Sequence, residues 1–189
     1  KKVLSLVLAG SMVLSLAACG GSKDTASTTD SSAASSAEAS GSDTFKIGAT
    51  GPITGGAAIY GNAVKNGIQI AVDEINEAGG INGYQIDYNF QDDEHDAEKA
   101  VNAYNNLKDW GMQVLIGTTT SAPCIAVVEK THADNMFQIT PSGTAVECVQ
   151  YDNAYRMCFS DPTQGTESAK YIGENGMAQK VAVIYDSSD

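Results

Sequence analysis

The chain has 189 residues, and its 23 acidic and 11 basic residues give a net charge of −12. A surface this acidic repels phosphate backbones, which argues against a protein that binds DNA or RNA. The charge balance agrees with an exported protein and says nothing about the fold.

The first 18 residues have the three parts of a secretory signal: two lysines, an apolar run over residues 3–16, and small residues before Cys19. The apolar run is shorter than the about 20 residues that a membrane-spanning helix needs, so a simple membrane anchor is the weaker interpretation. Leu-Ala-Ala-Cys at residues 16–19 resembles the bacterial lipobox. The resemblance implies a lipid on Cys19 and a place on the extracytoplasmic face of the cell membrane.

Residues 20–42 consist almost entirely of Gly, Ser, Thr and Ala. A segment with no apolar side chain larger than Ala has nothing to bury, so the energy that would offset its ordering is missing. Chains of this composition behave as flexible tethers. We therefore predict a linker from Cys19 to residue 42, with a folded part that starts at residue 43.

From residue 43 onward, short apolar runs alternate with helical patterns. The predicted strands cover residues 45–49, 84–90, 112–116, 137–140, 155–159 and 180–185, and the predicted helices cover 57–77, about 97–110, 122–135 and 164–175. The first helix has the clearest pattern, because Val64, Ile68, Val72 and Ile75 fall on one apolar stripe. Strands that alternate with helices of this length predict βαβ units, a parallel sheet and the α/β class.

Three loops rich in Gly, Ser and Thr follow predicted strands, at residues 48–61, 117–121 and 140–144. Ligands of parallel sheets bind beyond the carboxyl ends of the strands, and hydroxyl and N–H groups at helix N-termini suit a carboxylate. The loop at 48–61 lacks both GxxxxGK[ST] and GxGxxG, which argues against phosphate, and Tyr60 closes it. Ser121 also fits an ordinary helix N-cap, a role that can coexist with ligand binding.

Other chemistry finds little support in the sequence. The acidic stretch at residues 91–96, which includes His95, is interpreted as a solvated loop, because it lacks the EF-hand pattern and a partner His at ligand spacing. Ser142 lies in Thr-Pro-Ser-Gly-Thr and not in the GxSxG of a serine hydrolase. No pair of carboxylates stands out for acid–base catalysis. We predict a protein that is not an enzyme and holds no cofactor or metal.

Six segments, in order, resemble the extracellular solute-binding proteins of branched-chain amino-acid ABC transporters. They are residues 47–61, 68–88, 92–103, 114–121, 139–144 and 155–165. The resemblance implies a type I periplasmic-binding-protein fold, in which two Rossmann-like lobes joined by a three-strand hinge hold an amino acid between them. Residues 43–161 would form the first lobe and 162–189 the start of the second. The implied protein is a monomer that delivers its ligand to a membrane permease.

The resemblance also implies a ligand site. Ser121 resembles the family serine that binds the ligand α-carboxylate, and Thr144 the threonine that serves the carboxylate and the α-ammonium. The main chain at Ser142 and Gly143 contributes, and Tyr60 takes the place of an aromatic wall. Aliphatic amino acids are the leading ligand, while aromatic amino acids, short amides and other carboxylates stay open. The alternative is a ligand-sensing domain or regulator on the same fold.

The cysteines depart from the family. The family's first-lobe disulfide would join the positions of His95 and Thr120, so it is absent here. Three cysteines remain after Cys19, and one of them must stay unpaired. A replacement disulfide between Cys124 and Cys148 is the hypothesis, with Cys158 buried in a strand.

Overall fold

The computed structural model describes residues 44–185. The predicted signal, the lipid attachment at Cys19 and the linker to residue 42 lie outside the described residues. Five parallel strands form one sheet in the order β2-β1-β3-β4-β5. The strands are β1 (Phe45–Gly51), β2 (Ile86–Asp92), β3 (Val114–Ile116), β4 (Gln138–Thr140) and β5 (Ala154–Arg156). The helices are α1 (Ala58–Glu77), α2 (Ala97–Trp110), α3 (Ser121–Ala133) and α4 (Asp161–Glu174), with a 3-10 turn at Val146–Val149.

The strands and helices alternate, as the sequence predicts, and the α/β class with a parallel sheet is confirmed. Helix α2 shows how local sequence sets the boundaries. The Asp96 side chain accepts the N–H of Lys99, which caps the first turn. Gly111 ends the helix in the left-handed conformation with φ of 92°, which glycine adopts without steric cost. The connection between β2 and α2 covers only residues 93–96.

Two apolar clusters cover opposite faces of the sheet. One is built from α2, α3 and β3, and its members are Ala100, Tyr104, Leu107, Met112, Leu115 and Val127. The other joins α1 to β1 and β2 through Ile47, Val72 and Ile86. This arrangement follows from the alternation of side chains along a strand, since Ile47 packs toward α1 while a methyl group on Gly48 would meet Met112.

An apolar groove of about 350 Å³ runs beside α1 on the second face. Its lining comes from α1, β1, β2 and β3 and from residues that follow β4 and β5: Ile47, Val64, Gly67, Ile68, Ala71, Val72, Ile75, Ile86, Ile116, Pro141 and Met157. The predicted apolar stripe of α1 therefore faces this groove and the sheet. Within residues 44–185, no helix is both long and apolar enough to cross a membrane.

The main error in the predicted elements is at the end of the chain. Residues 181–185 form no strand, although the sequence is rich in β-branched residues. Val183 and Ile184 are 79% and 99% exposed, so no neighbouring strand in the described part of the chain covers them. A β-branched run becomes a strand only when it has a partner to pair with. Strand β2 also begins at Ile86 and not at Tyr84, which instead pairs with Ile81 across a tight turn.

Candidate functional site

A cleft of about 450 Å³ lies where the loops after β1, β3 and β4 meet the start of α4. Parallel strands point their carboxyl ends to one edge, so these loops come together although they are far apart in sequence. The lining residues are Ala57, Tyr60, His95, Thr119, Thr120, Ser121, Ser142, Thr144, Cys158, Phe159, Asp161 and Gln164. The cleft is large enough for an amino acid, since small-molecule pockets start at about 300 Å³.

Ser121 is the first residue of α3 and joins two of these loops. Its Oγ accepts the backbone N–H of Thr144 at 3.2 Å and that of Ala145 at 3.3 Å. These bonds occupy the lone pairs of the hydroxyl and leave its proton available to an acceptor in the cleft. The expected N-cap role is not the one observed, because the N-cap is Thr120, and it makes no side-chain capping bond.

The first turn of α3 has unused donors. Among residues 44–185, the N–H groups of Ser121 and Ala122 have no acceptor, and Pro123 carries no N–H. The N-terminus of a helix also carries a partial positive charge from the aligned peptide dipoles. Together with the Ser121 hydroxyl, these groups can bind an anion such as a carboxylate.

The loop at residues 140–144 is held by one hydrogen bond of its own and by several to neighbouring segments. The Gly143 N–H donates to Thr140 Oγ1 at 2.9 Å, and the Ser142 hydroxyl donates to the carbonyl of Thr119. Gly143 is buried and does not line the cleft; a methyl group there would lie 2.8 Å from Thr140 Oγ1. The structure thus gives Gly143 a packing role, whereas Ser142 and Thr144 do reach the cleft. The Thr144 hydroxyl has no partner within the described residues.

Aromatic side chains form another part of the lining. Tyr60, near the start of α1, is 61% exposed, and Phe159, which follows β5, is 54% exposed. The resemblance implies such a wall at Tyr60, whereas nothing in the sequence points to Phe159. Exposed rings that line a cleft can bury apolar area when a ligand enters.

The acidic stretch is more than a solvated loop. Asp92 accepts the N–H of Ile53 at 2.9 Å and the hydroxyl of Thr54 at 2.6 Å, and so fixes the loop after β1. Burial alone would raise the pKa of Asp92, but the Thr54 hydroxyl and three backbone N–H groups outweigh burial and lower it. No group of three His, Cys, Asp or Glu side chains suited to a metal ion occurs in the part of the chain that the structure describes.

Asp93 is fully buried, and its side chain holds the connection between β2 and α2. Its Oδ1 accepts the N–H of His95 at 3.0 Å, while its Oδ2 has no partner among residues 44–185. Burial is the main cause that raises the pKa of the Asp93 carboxyl to about 6. Nothing in the sequence points to the burial of Asp93, because a carboxylate in an acidic run is usually solvated.

The disulfide predicted between Cys124 and Cys148 is not formed in the structure, where both residues are buried free thiols. The two residues are close, since Cys124 Sγ lies 4.0 Å from the carbonyl oxygen of Cys148. Each sulfur has another polar neighbour: Gln138 donates to Cys124 and Cys148 points to the carbonyl of Ser121. Cys158 was expected in a strand; it lies after β5, is half-buried and lines the cleft.

Comparison with protein-family models matches residues 44–189 to the periplasmic binding proteins. The chain belongs to this family. The family consists of substrate-binding proteins and not of enzymes, and it implies an extracytoplasmic location.

Two relatives carry names that state their ligands. BraC3 of Rhizobium johnstonii, a Leu/Ile/Val-binding protein, is 35% identical over 142 residues, or 74% of this chain and 39% of the relative. A leucine-, isoleucine-, valine-, threonine- and alanine-binding protein of Pseudomonas aeruginosa is 33% identical over 146 residues, or 76% of this chain and 39% of the relative. The chain thus spans well under half the length of these relatives.

Solved structures agree with the relatives. The branched-chain amino-acid transporter substrate-binding protein LivJ of Streptococcus pneumoniae, in complex with isoleucine, matches with a TM-score of 0.66 and 33% identity over 70% of this chain and 38% of its own. A substrate-binding protein of Desulfitobacterium hafniense in complex with leucine matches with a TM-score of 0.63 and 26% identity over 71% of this chain and 40% of its own. The resemblance to type I binding proteins of branched-chain amino-acid transporters is therefore confirmed.

Proposed function

We propose that this chain forms the first ligand-binding lobe of a lipoprotein that captures an amino acid for an ABC importer and delivers it to the membrane permease. Residues 43–161 would be the first lobe and 162–189 the start of the second. The relatives and the solved structures support the transporter class. The lipobox at residues 16–19 supports the lipid anchor, which incorporation of labelled fatty acid into the wild type, but not into Cys19→Ala, would test.

One observation carries the proposal: the donors of the cleft converge on one place. The free N–H groups of Ser121 and Ala122, the Ser121 hydroxyl and the Thr144 hydroxyl all lie at the junction of α3 with the loop after β4. Hydrogen bonds to an ionised acceptor are roughly twice as strong as those between neutral groups. We therefore assign this place to the α-carboxylate of the ligand, with Ser142 beside it.

The ligand is an amino acid, with aliphatic members such as leucine as the leading candidates. Tyr60 and Phe159 offer apolar surface in the cleft, and BraC3 of Rhizobium johnstonii is a Leu/Ile/Val-binding protein. Asp161 also lines the cleft and supplies a negative charge on the side of α4. A zwitterion fits a cleft that contains donors at one end and a carboxylate at another.

Calorimetry on the full-length protein tests this assignment with leucine and leucinamide. The two molecules share the side chain and the ammonium group, but the amide is neutral and keeps only part of the acceptor strength. We expect leucine to bind at least ten times more tightly, since one hydrogen bond to a charged group contributes about 1.5–3 kcal/mol. Equal affinities would show that the carboxylate does not lie at α3.

A further inference from the structure

His95 lies in the lining of the cleft, and it is the one imidazole there. Its Nδ1 is 2.9 Å from Oγ1 of Thr120, the residue before Ser121. Its Nε2 has no hydrogen-bond partner among residues 44–185, and the side chain is exposed. The imidazole therefore has one nitrogen in use and one available to a ligand.

The backbone of His95 is held as firmly as its side chain. Glu94 and His95 have φ of 50° and 62°, in the left-handed region that non-glycine residues rarely occupy. The buried carboxylate of Asp93 accepts the His95 N–H and stabilises this conformation. A side chain fixed at both ends loses little conformational entropy when it binds a ligand.

The surroundings of His95 are polar. Thr120 lies at hydrogen-bond distance from its Nδ1 and Thr119 belongs to the same lining, whereas of the aromatic residues Tyr60 lies in α1 and Phe159 follows β5. Consecutive Cα atoms are about 3.8 Å apart, so Thr120 and its imidazole partner lie next to the carboxylate position at Ser121. A ligand whose carboxylate lies at Ser121 therefore has His95 as a neighbour through Thr120.

We propose that His95 is a specificity-determining residue that uses Nε2 to bind a polar atom on Cβ or Cγ of the ligand. The ligand class then includes amino acids with a short hydrogen-bonding side chain, such as a hydroxyl or an amide, and not aliphatic ones alone. This inference rests on the proposed function, because it takes the carboxylate to lie at Ser121.

Calorimetry on the full-length protein tests the proposal with two pairs of ligands of matched shape: threonine with valine, and asparagine with leucine. The variants are His95→Asn, whose amide can replace Nδ1 and keep the bond to Thr120, and His95→Gln, whose longer side chain can replace Nε2. We expect His95→Asn to lower the preference for the polar member of a pair by about 2- to 10-fold, the worth of one neutral hydrogen bond. His95→Gln should keep most of it.

If His95 serves only to join the two loops through Thr120, the affinities of His95→Asn should equal those of the wild type. His95→Gln should then bind every ligand more weakly by the same factor, and this result would overturn the proposal. His132→Asn, on the exposed side of α3, is the matched control and should change no affinity. Unchanged preferences in both His95 variants of a protein that binds amino acids overturn the inference and leave the proposed function standing. A wild type that binds no amino acid overturns both.

Discussion

The hydroxyl of Ser121 accepts the backbone N–H of Thr144 at 3.2 Å, and this bond joins the start of α3 to the loop that follows β4. The same hydroxyl keeps its proton for the cleft, so one side chain both shapes the site and faces the ligand. Loss of the Ser121 hydroxyl should therefore weaken binding in two ways: it removes a donor to the ligand, and it loosens the loop that follows β4.

Replacement of Ser121 by alanine removes the hydroxyl donor and leaves the N–H groups of Thr144 and Ala145 without their acceptor. We expect the affinity for an amino acid to fall by about 10-fold or more, because a bond to a charged acceptor contributes about 1.5–3 kcal/mol. Calorimetry on the full-length protein measures the change. Asn105→Ala, on the exposed surface of α2, is the control. A Ser121→Ala protein with wild-type affinity would contradict the assignment.

Gly61, near the start of α1, serves close packing, whereas Gly55 and Gly56 in the loop after β1 have open space around them. A methyl group on Gly61 would overlap the carbonyl oxygen of Pro52, whereas Gly67, on the same helix, has open space around it. Gly61→Ala should lower the unfolding free energy by about 1–3 kcal/mol, the usual cost of overpacking. Gly67→Ala should raise it by about 0.5–1 kcal/mol through helix propensity. Urea unfolding of both variants checks the contrast, and a Gly61→Ala protein as stable as Gly67→Ala would refute it.

Asp93 makes stability depend on pH. Its folded-state pKa of about 6 lies above the ordinary 3.8, so the folded protein holds this proton more tightly than the unfolded chain does. The contribution to the unfolding free energy is complete below about pH 4 and is lost as the pH rises through 6, with a size of about 3 kcal/mol. Asp92 and His95 are the charged neighbours, and they act in opposite directions.

The variant Asp93→Asn isolates this contribution, because its amide cannot ionise and its oxygen can still accept the His95 N–H. We expect the variant to be more stable than the wild type at pH 8 and to lose the advantage at pH 4.5. Urea unfolding at both pH values measures the two differences, and contributions from other groups cancel between the proteins. An advantage that does not change with pH would show that Asp93 is ionised throughout this range.

A polypeptide that contains only residues 43–189 should bind leucine weakly or not at all. The donors that it supplies line one side of the cleft, and affinity in a two-lobed site depends on groups from both sides. Calorimetry compares this polypeptide with the full-length protein. Micromolar binding of leucine by residues 43–189 would show that the first lobe is sufficient.

Much of the fold follows from the sequence, because periodicity reports burial directly. The alternation of strands and helices predicts the parallel sheet, and the apolar stripe of α1 predicts the face that it buries. The prediction of a strand at residues 180–185 is wrong for a physical reason. Strand formation needs a partner strand, and β-branched composition indicates only a tendency. Strand β3 begins later than predicted because Met112 still takes part in the end of α2, where its N–H donates to the carbonyl of Leu107.

Part of the cleft lining was predictable from the sequence, while the role of these residues in ligand binding stays a prediction. Ser121 and Thr144 stand in Gly-, Ser- and Thr-rich turns, which mark them in the sequence. Asp93 and His95 stand in an acidic run, where burial of one residue among exposed neighbours leaves no pattern. Local sequence does not encode the hydrogen bond between His95 and Thr120, although the resemblance implies that the two positions are close, since the family's disulfide joins them.

Cys158 gives the cleft a chemical reporter of its own. The thiol is half-buried in the lining, and burial raises its pKa, so alkylation at neutral pH should be slow. Cys124 and Cys148 are fully buried and should not compete for the reagent. A molecule that fills the cleft covers this sulfur. The rate of alkylation should therefore fall in proportion to the fraction of occupied clefts. A library of solutes can then be screened without an engineered label, because mass spectrometry measures how far each solute slows the alkylation of Cys158.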